Sequence, residues 1–228
     1  MSMAQGASGS LKGNTTIGLG RRATARCVRA CSAWVLPLLL GRVALVLAAG
    51  DVATVVRING APVVHHAGAT EPLRPGAALW LGDVVETDGQ SKVKLVLADD
   101  SVLSVGPQSR VTVQEFVLEA ERRHARLQVL VGRFKIAIAK FLGGASDVEV
   151  RTPTAVAGVR GTMLWGDTEI DAFCVLDGAA DVRPLSGAVP PAQLTTGQCV
   201  QQLGKGKVVP FAPHPEDLAA YLKAVTLD

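Results

Sequence analysis

Along most of the chain apolar and polar residues alternate in short runs, a period of two that predicts β-strands with one face on a core. From Asp51 onward, Val52, Thr54, Val56 and Ile58 alternate with Ala53, Val55, Arg57 and Asn59. The dipeptide Asn59-Gly60 then predicts a hairpin into a second strand carrying Val63, Val64, His65 and His66. Similar runs recur at 84–87, 92–97, 102–105, 110–117, 125–131 and 134–139, and the turn Ala98-Asp99-Asp100-Ser101 predicts another hairpin. Shorter strands are expected at 162–166, 169–176, 179–183, 193–194 and 198–203, with Asp177-Gly178 as a turn and 184–191 as a loop. Strand after strand of this length, separated by glycine-containing turns, argues an all-β sandwich, barrel or solenoid.

The chain is organised around the stretch 148–162. It opens as an alternating strand, and Pro153 has no N–H for a ladder, so pairing is expected to break there. From Ala155 to Gly161 the side chains are small or β-branched, except Arg160. A cation in that company is either paired with a carboxylate or aimed at a partner, and the pair is the commoner outcome.

Past Pro210, Pro213 and Pro215 the period changes. Leu218, Tyr221, Leu222 and Val225 fall on one helical face, with Pro215, Glu216 and Asp217 suited to a first turn. A short C-terminal helix docked on the sheet is expected.

Composition narrows the picture. The 228 residues are 48% hydrophobic but carry only three Trp, one Tyr and five Phe, so the core must be aliphatic. The formal charge of +3 is uneven: six cationic and no acidic residues precede Ala49, leaving 17 cationic against 20 acidic residues beyond it, a net −3. The body therefore lacks the basic surface that nucleic-acid binding requires.

Four segments follow: a Gly-, Ser- and Thr-rich leader at 1–20, a signal peptide or membrane anchor at 21–49, a β domain at 50–209, and a linker and helix at 210–228. The second has Arg21, Arg22, Arg26 and Arg29 before apolar runs at 33–40 and 43–49, with small residues near Ala48 where cleavage is expected. Arg42 interrupts the apolar stretch. Cys27 and Cys31 lie in this segment with no second ligand pair nearby, so zinc is not expected.

Candidate chemistry is sparse. His65 and His66 are adjacent on a strand and point to opposite faces, so they cannot share a metal and read as a solvated pair. Asp83 reads as turn chemistry, and 119–124 as a solvated mixed-charge connection. The glycine-rich loop 140–146 lacks the Gly-Lys-Ser/Thr ending of a phosphate cradle; Phe141 and Leu142 on it are candidates for an exposed apolar contact. No Ser, His and Asp constellation, metal cluster or nucleotide fingerprint emerges, so the chain is read as non-enzymatic, without cofactor or metal.

The run Arg151-Thr152-Pro153-Thr154-Ala155-Val156-Ala157-Gly158-Val159-Arg160-Gly161-Thr162 closely resembles the signature of the FecR family, periplasmic sensor domains first known from ferric-citrate regulation. Shorter resemblances lie at Gly82-Asp83-Val84-Val85-Glu86-Thr87, Leu97-Ala98-Asp99-Asp100-Ser101-Val102-Leu103, Val131-Gly132-Arg133-Phe134, Val175-Leu176-Asp177-Gly178 and Thr196-Gly197-Gln198. The family has Gly where this chain has Asp100, which tolerates positive φ better than most residues. The resemblance implies a twisted, β-solenoid-like stack of two sheets. It also implies an exported module that binds a protein partner in the periplasm or outer membrane, in relays that end at a cytoplasmic sigma regulator. About 30 residues precede the apolar stretch, so the usual cytoplasmic anti-sigma domain is not expected here, nor a second receptor-facing domain after Leu203.

The family signature residues Arg151, Thr152, Pro153, Ala157, Gly158, Val159, Arg160, Gly161 and Thr162 are the first candidates for a site, and Phe141, Leu142, Arg160 and Trp165 for partner contact, with Trp165 equally suited to a core. Cys174 and Cys199, the only cysteines past residue 49, either form a disulfide or remain free thiols. Two readings of function stand: a sensing and protein-interaction module of envelope signalling related to iron regulation, or a structural or glycan-binding envelope protein.

Overall fold

A computed structural model describes residues 50–186, 189–206 and 208–227. The expected leader and signal segment, with Cys27 and Cys31, lie outside the described residues. In chain order the strands are β1 (Ala53–Asn59), β2 (Val63–His66), β3 (Ala69–Pro72), β4 (Ala78–Leu79), β5 (Val84–Glu86), β6 (Lys92–Leu97), β7 (Val102–Val105), β8 (Arg110–Leu118) and β9 (Arg122–Val131). They continue as β10 (Arg133–Ala137), β11 (Ala145–Arg151), β12 (Ala155–Val159), β13 (Met163–Asp167), β14 (Ala172–Asp177), β15 (Ala179–Pro184), β16 (Ala192–Thr195) and β17 (Cys199–Gln201), followed by one helix, α1 (Pro215–Val225).

The fold is all-β, in two open sheets. One has the order β17-β14-β13-β10-β7-β6-β1-β4, the other β16-β15-β12-β11-β9-β8-β5-β2-β3. The chain passes from sheet to sheet every one or two strands, and past β5 each visit adds its strands on the same side of the last. Strand order thus advances through both sheets together, and neither closes into a barrel. Pairing is antiparallel except between β9 and β11, which run parallel because β10 intervenes in the other sheet.

Alternation explains the packing. β6 buries Val93, Leu95 and Leu97 and leaves Lys92, Lys94 and Val96 only partly covered. β9 buries Ala125, Leu127 and Val129 with the same parity. These meet Leu103, Val105, Phe134, Ile136, Leu164, Phe173, Val148, Val150 and Val182 in one core between the sheets. A second cluster lies on the opposite face of β13, β14 and β17, where α1 docks: Trp165, Ala172, Cys174 and Cys199 meet Val225, and Tyr221 stacks on Trp165 at 4.4 Å and 10°. Lys92 donates to the carbonyls of Lys223 and Thr226 at 2.9 and 3.0 Å, satisfying the open end of the helix.

The expected hairpin at Asn59-Gly60 is not one. β1 pairs with β4 and β6, whereas β2 pairs with β3 and β5 in the other sheet, so the turn is a corner between sheets. A bulge between Val55 and Arg57 also breaks the phase of β1, and Val56 is left about half exposed.

Candidate functional site

The stretch 148–162 folds as the hairpin β11–β12 and the corner beyond it. Thr152 makes the turn: its N–H donates to the Ala155 carbonyl at 2.9 Å and its hydroxyl accepts from Ala155 N at 3.1 Å. Pro153 sits exposed at the tip, where no ladder amide is required. β12 sends Ala155, Ala157 and Val159 into the core. After Arg160 the chain leaves the sheet through Gly161, whose φ of 59° suits glycine, and buried Thr162, whose hydroxyl donates to the Ala179 carbonyl at 2.6 Å.

On the outer face of this sheet one cross-strand row runs through Glu115, Arg126, Glu149, Gly158, Asp181 and Gln193. Its first half is filled with charge. Arg126 pairs with Glu115 and, at 3.3 Å, with Glu149; Arg151 reaches Glu149 at 2.7 Å; His124 lies 2.8 Å from Glu115 and 3.1 Å from Asp147. Hydrogen bonding from His124, with the charge of Arg126, holds the Glu115 carboxyl below its usual range. Burial pushes Glu149 up, but the hydrogen bonds from Arg151 and Arg126 outweigh it and the net direction is down.

At Gly158 the row has no side chain. The nearest atom to an added Cβ is the Asp181 carbonyl oxygen at 3.9 Å, so the gap is open rather than filled by a neighbour. It forms a cleft of about 330 Å³ bordered by Ser146, Asp147, Arg160, Asp181 and Gln193. A second recess of about 180 Å³ shares Gly158 and Asp181 and is bordered by Val156 and Arg183. The arrangement is a shallow polar groove lined by two guanidinium groups, Arg160 and Arg183, and three carboxylates, Asp147, Glu149 and Asp181.

Arg160 is exposed and makes no ion pair among the described residues, so the expected carboxylate partner is absent. The physical reason is its parity: it follows inward Val159 and therefore emerges on the outer face, beside the gap at Gly158. Of the other candidates, Leu142 is 95% exposed on the loop between β10 and β11, and the start of β11 beyond it supplies Ser146 and Asp147 to the groove. Phe141 instead lies under the Arg123 guanidinium, 5.3 Å from ring centroid to Cζ, and is half-buried. Trp165 is fully buried beneath α1, so it offers a partner no surface, and its indole N–H finds no hydrogen-bond acceptor.

The histidines at 65 and 66 are partly solvated at the end of β2, with side chains 37% and 47% exposed, and each is also hydrogen-bonded. His65 lies 2.8 Å from Glu86 and 2.9 Å from Thr70, on one face; His66 lies 2.5 Å from Asp83, on the other. Asp83 accepts the Trp80 amide at 2.9 Å, the expected turn chemistry. Among the described residues no group of three or more His, Cys, Asp or Glu side chains is gathered for a metal, and no helix is long and apolar enough to cross a membrane. Cys174 and Cys199 face each other across β14 and β17 and are joined by a disulfide, with Cα atoms 4.0 Å apart.

Residues 83–189, which contain the hairpin, the corner and most of the groove, match the family model described as FecR protein. Among solved structures, two crystal structures of a candidate anti-sigma factor from Parabacteroides distasonis are similar. One shares 14% identity over 61% of this chain and 64% of that one, at a TM-score of 0.49; the other shares 14% over 61% and 63%, at 0.47. The chain thus spans a little under two thirds of the length of the structures it matches. A search of curated proteins returned no match.

Proposed function

We propose that this chain is an exported, non-enzymatic sensing and protein-interaction module of envelope signalling, related to iron-regulatory systems, and that it receives its partner in the groove over Gly158. The observation that carries the reading is Arg160, a cation of the family signature that stands exposed, without an ion pair among the described residues, at the rim of an open cleft. A structural arginine would be expected to hold a carboxylate, as Arg151 and Arg126 do one and two strands away on the same face. The groove is polar and shallow, which fits a protein surface better than a small molecule. Export to the periplasm is supported by the basic and apolar pattern at 21–49 and by the Cys174–Cys199 disulfide, a bond that persists in oxidising compartments. The membrane is touched only through the N-terminal segment where that segment stays uncleaved.

The test is calorimetric titration of the full chain with purified signalling domains of outer-membrane receptors from the same genome. Saturable binding that Arg160→Ala abolishes, at an unchanged melting temperature, is the expected result. Binding that Arg160→Ala leaves intact, or none to any such domain, contradicts the reading.

A further inference from the structure

A roomy cleft lies away from the signature groove, at the N-terminal end of the stack. It measures about 460 Å³, within the roughly 300–1,000 Å³ of small-molecule sites, and is formed by β2, β3, β4 and the turn 80–83. Its floor is apolar, with Val64, Leu73 and Ala77, and its rim carries Trp80, His66, Glu71 and Arg74. Trp80 is 41% exposed, unusual for so large a side chain in a body otherwise short of aromatics.

The rim is held rigidly. Asp83, whose side chain is only 5% exposed, accepts the Trp80 amide at 2.9 Å and approaches His66 Nδ1 at 2.5 Å. A carboxylate only accepts, so the proton of that contact sits on Nδ1, which leaves Nε2 as the ring's remaining polar atom. Nε2 has no hydrogen-bond partner among the described residues, and the imidazole lies 5.0 Å from the indole, tilted by 49°. Glu71 and Arg74 make no ion pair among the described residues.

We propose that this cleft binds a saccharide ring. An exposed indole offers a flat apolar face for the C–H face of a pyranose, while a fixed imidazole nitrogen, a carboxylate and a guanidinium suit ring hydroxyls, which both donate and accept. Glu71 and Arg74 offset each other, so the ligand need carry no charge. A purely apolar ligand would leave three polar groups desolvated. A peptide added as an extra strand would meet poor edges: β4 has two residues and β3 ends in Pro72. The sugar can be a free oligosaccharide or a unit of an insoluble glycan.

The experiment titrates the full chain calorimetrically with chitotetraose and with cellotetraose, and measures co-sedimentation with purified peptidoglycan sacculi. Saturable binding to a soluble sugar is expected, weakened about tenfold or more by Trp80→Ala and largely kept by Trp80→Phe. Arg74→Gln, an exposed change that leaves the fold untouched, should weaken it as well. Binding to sacculi alone with the same dependence on Trp80 and Arg74 supports the proposal and assigns the polymer as source. No saturable binding to any of the three, or binding that both Trp80→Ala and Arg74→Gln leave unchanged in proteins with native circular dichroism, overturns it.

Discussion

Arg123 and Asp99 form an ion pair sealed inside the protein: Nη1 lies 2.9 Å from Oδ2, and the two side chains are 1% and 4% exposed. Asp99 belongs to the turn between β6 and β7 in one sheet, Arg123 to the start of β9 in the other, so the pair ties the sheets together at the strand ends, midway along the stack. The remaining donors of Arg123 are met by the Ala139 carbonyl at 2.8 Å and the Ser146 hydroxyl at 2.9 and 3.1 Å, and Asp99 also accepts from Ser101. The same pair anchors the loop that carries Phe141 and Leu142 and ends at the groove.

Removing one partner leaves the other charge buried and unpaired, which costs about 3–5 kcal/mol. Arg123→Met is therefore expected to lower stability by about that amount in urea unfolding. Replacing both partners, as Asp99→Leu with Arg123→Met, should recover much of the loss, because the residual cost is then packing rather than an isolated charge. A double-variant loss equal to the sum of the two single-variant losses would show that the pair is not coupled.

Why Arg123 was not legible in the sequence is instructive. Residues 119–124 read as a charged surface connection, yet Arg123 shares the parity of Ala125, Leu127 and Val129 and so points inward once β9 extends two residues further. Parity was the available signal; composition overrode it. The strands themselves and the turn at Asp100, with its φ of 64°, followed from local chemistry. The corner at Asn59-Gly60 did not, because a turn signal says that the chain reverses, not which sheet it enters next. Arg160 was expected to be paired because a cation beside apolar residues suggests burial. Its outward parity and the empty position at Gly158 become visible only when the partner strands are known.

Acid should loosen the charged outer face. The carboxyls of Glu86, Glu115 and Glu149 all ionise at lower pH in the folded chain than their ordinary value of 4.5. For Glu86 the leading cause is the hydrogen bond from Arg110, followed by that from His65. Depressed carboxyls favour the folded state above that ordinary value, and the contribution is lost as pH falls from there through the lowered folded values. Glu149→Gln should therefore destabilise the protein at about pH 7 and make little difference at about pH 3, giving a shallower acid limb in the melting temperature. An acid limb unchanged by Glu149→Gln would remove this residue from the account.

The disulfide closes a loop of 25 residues across β14 and β17, directly beneath α1. Loop-closure entropy puts its contribution at roughly 3 kcal/mol. Protein isolated without reductant should show neither Cys174 nor Cys199 in thiol labelling, and Cys199→Ser should lower the melting temperature under oxidising conditions but not in the presence of reductant. Full labelling of both residues in unreduced protein would contradict the bond.

The central claim, that a partner enters the groove over Gly158, is tested most directly by filling that groove without disturbing the strand. Gly158 lacks a positive φ and an added Cβ meets nothing closer than 3.9 Å, so Gly158→Val is accommodated and, as a strand residue replacing glycine, should raise stability by about 0.5–1 kcal/mol. Calorimetric titration of this variant with the receptor signalling domain bound by the unaltered chain is the measurement. The account predicts lost binding in a protein that melts at the same temperature or higher; undiminished affinity in that protein would contradict it.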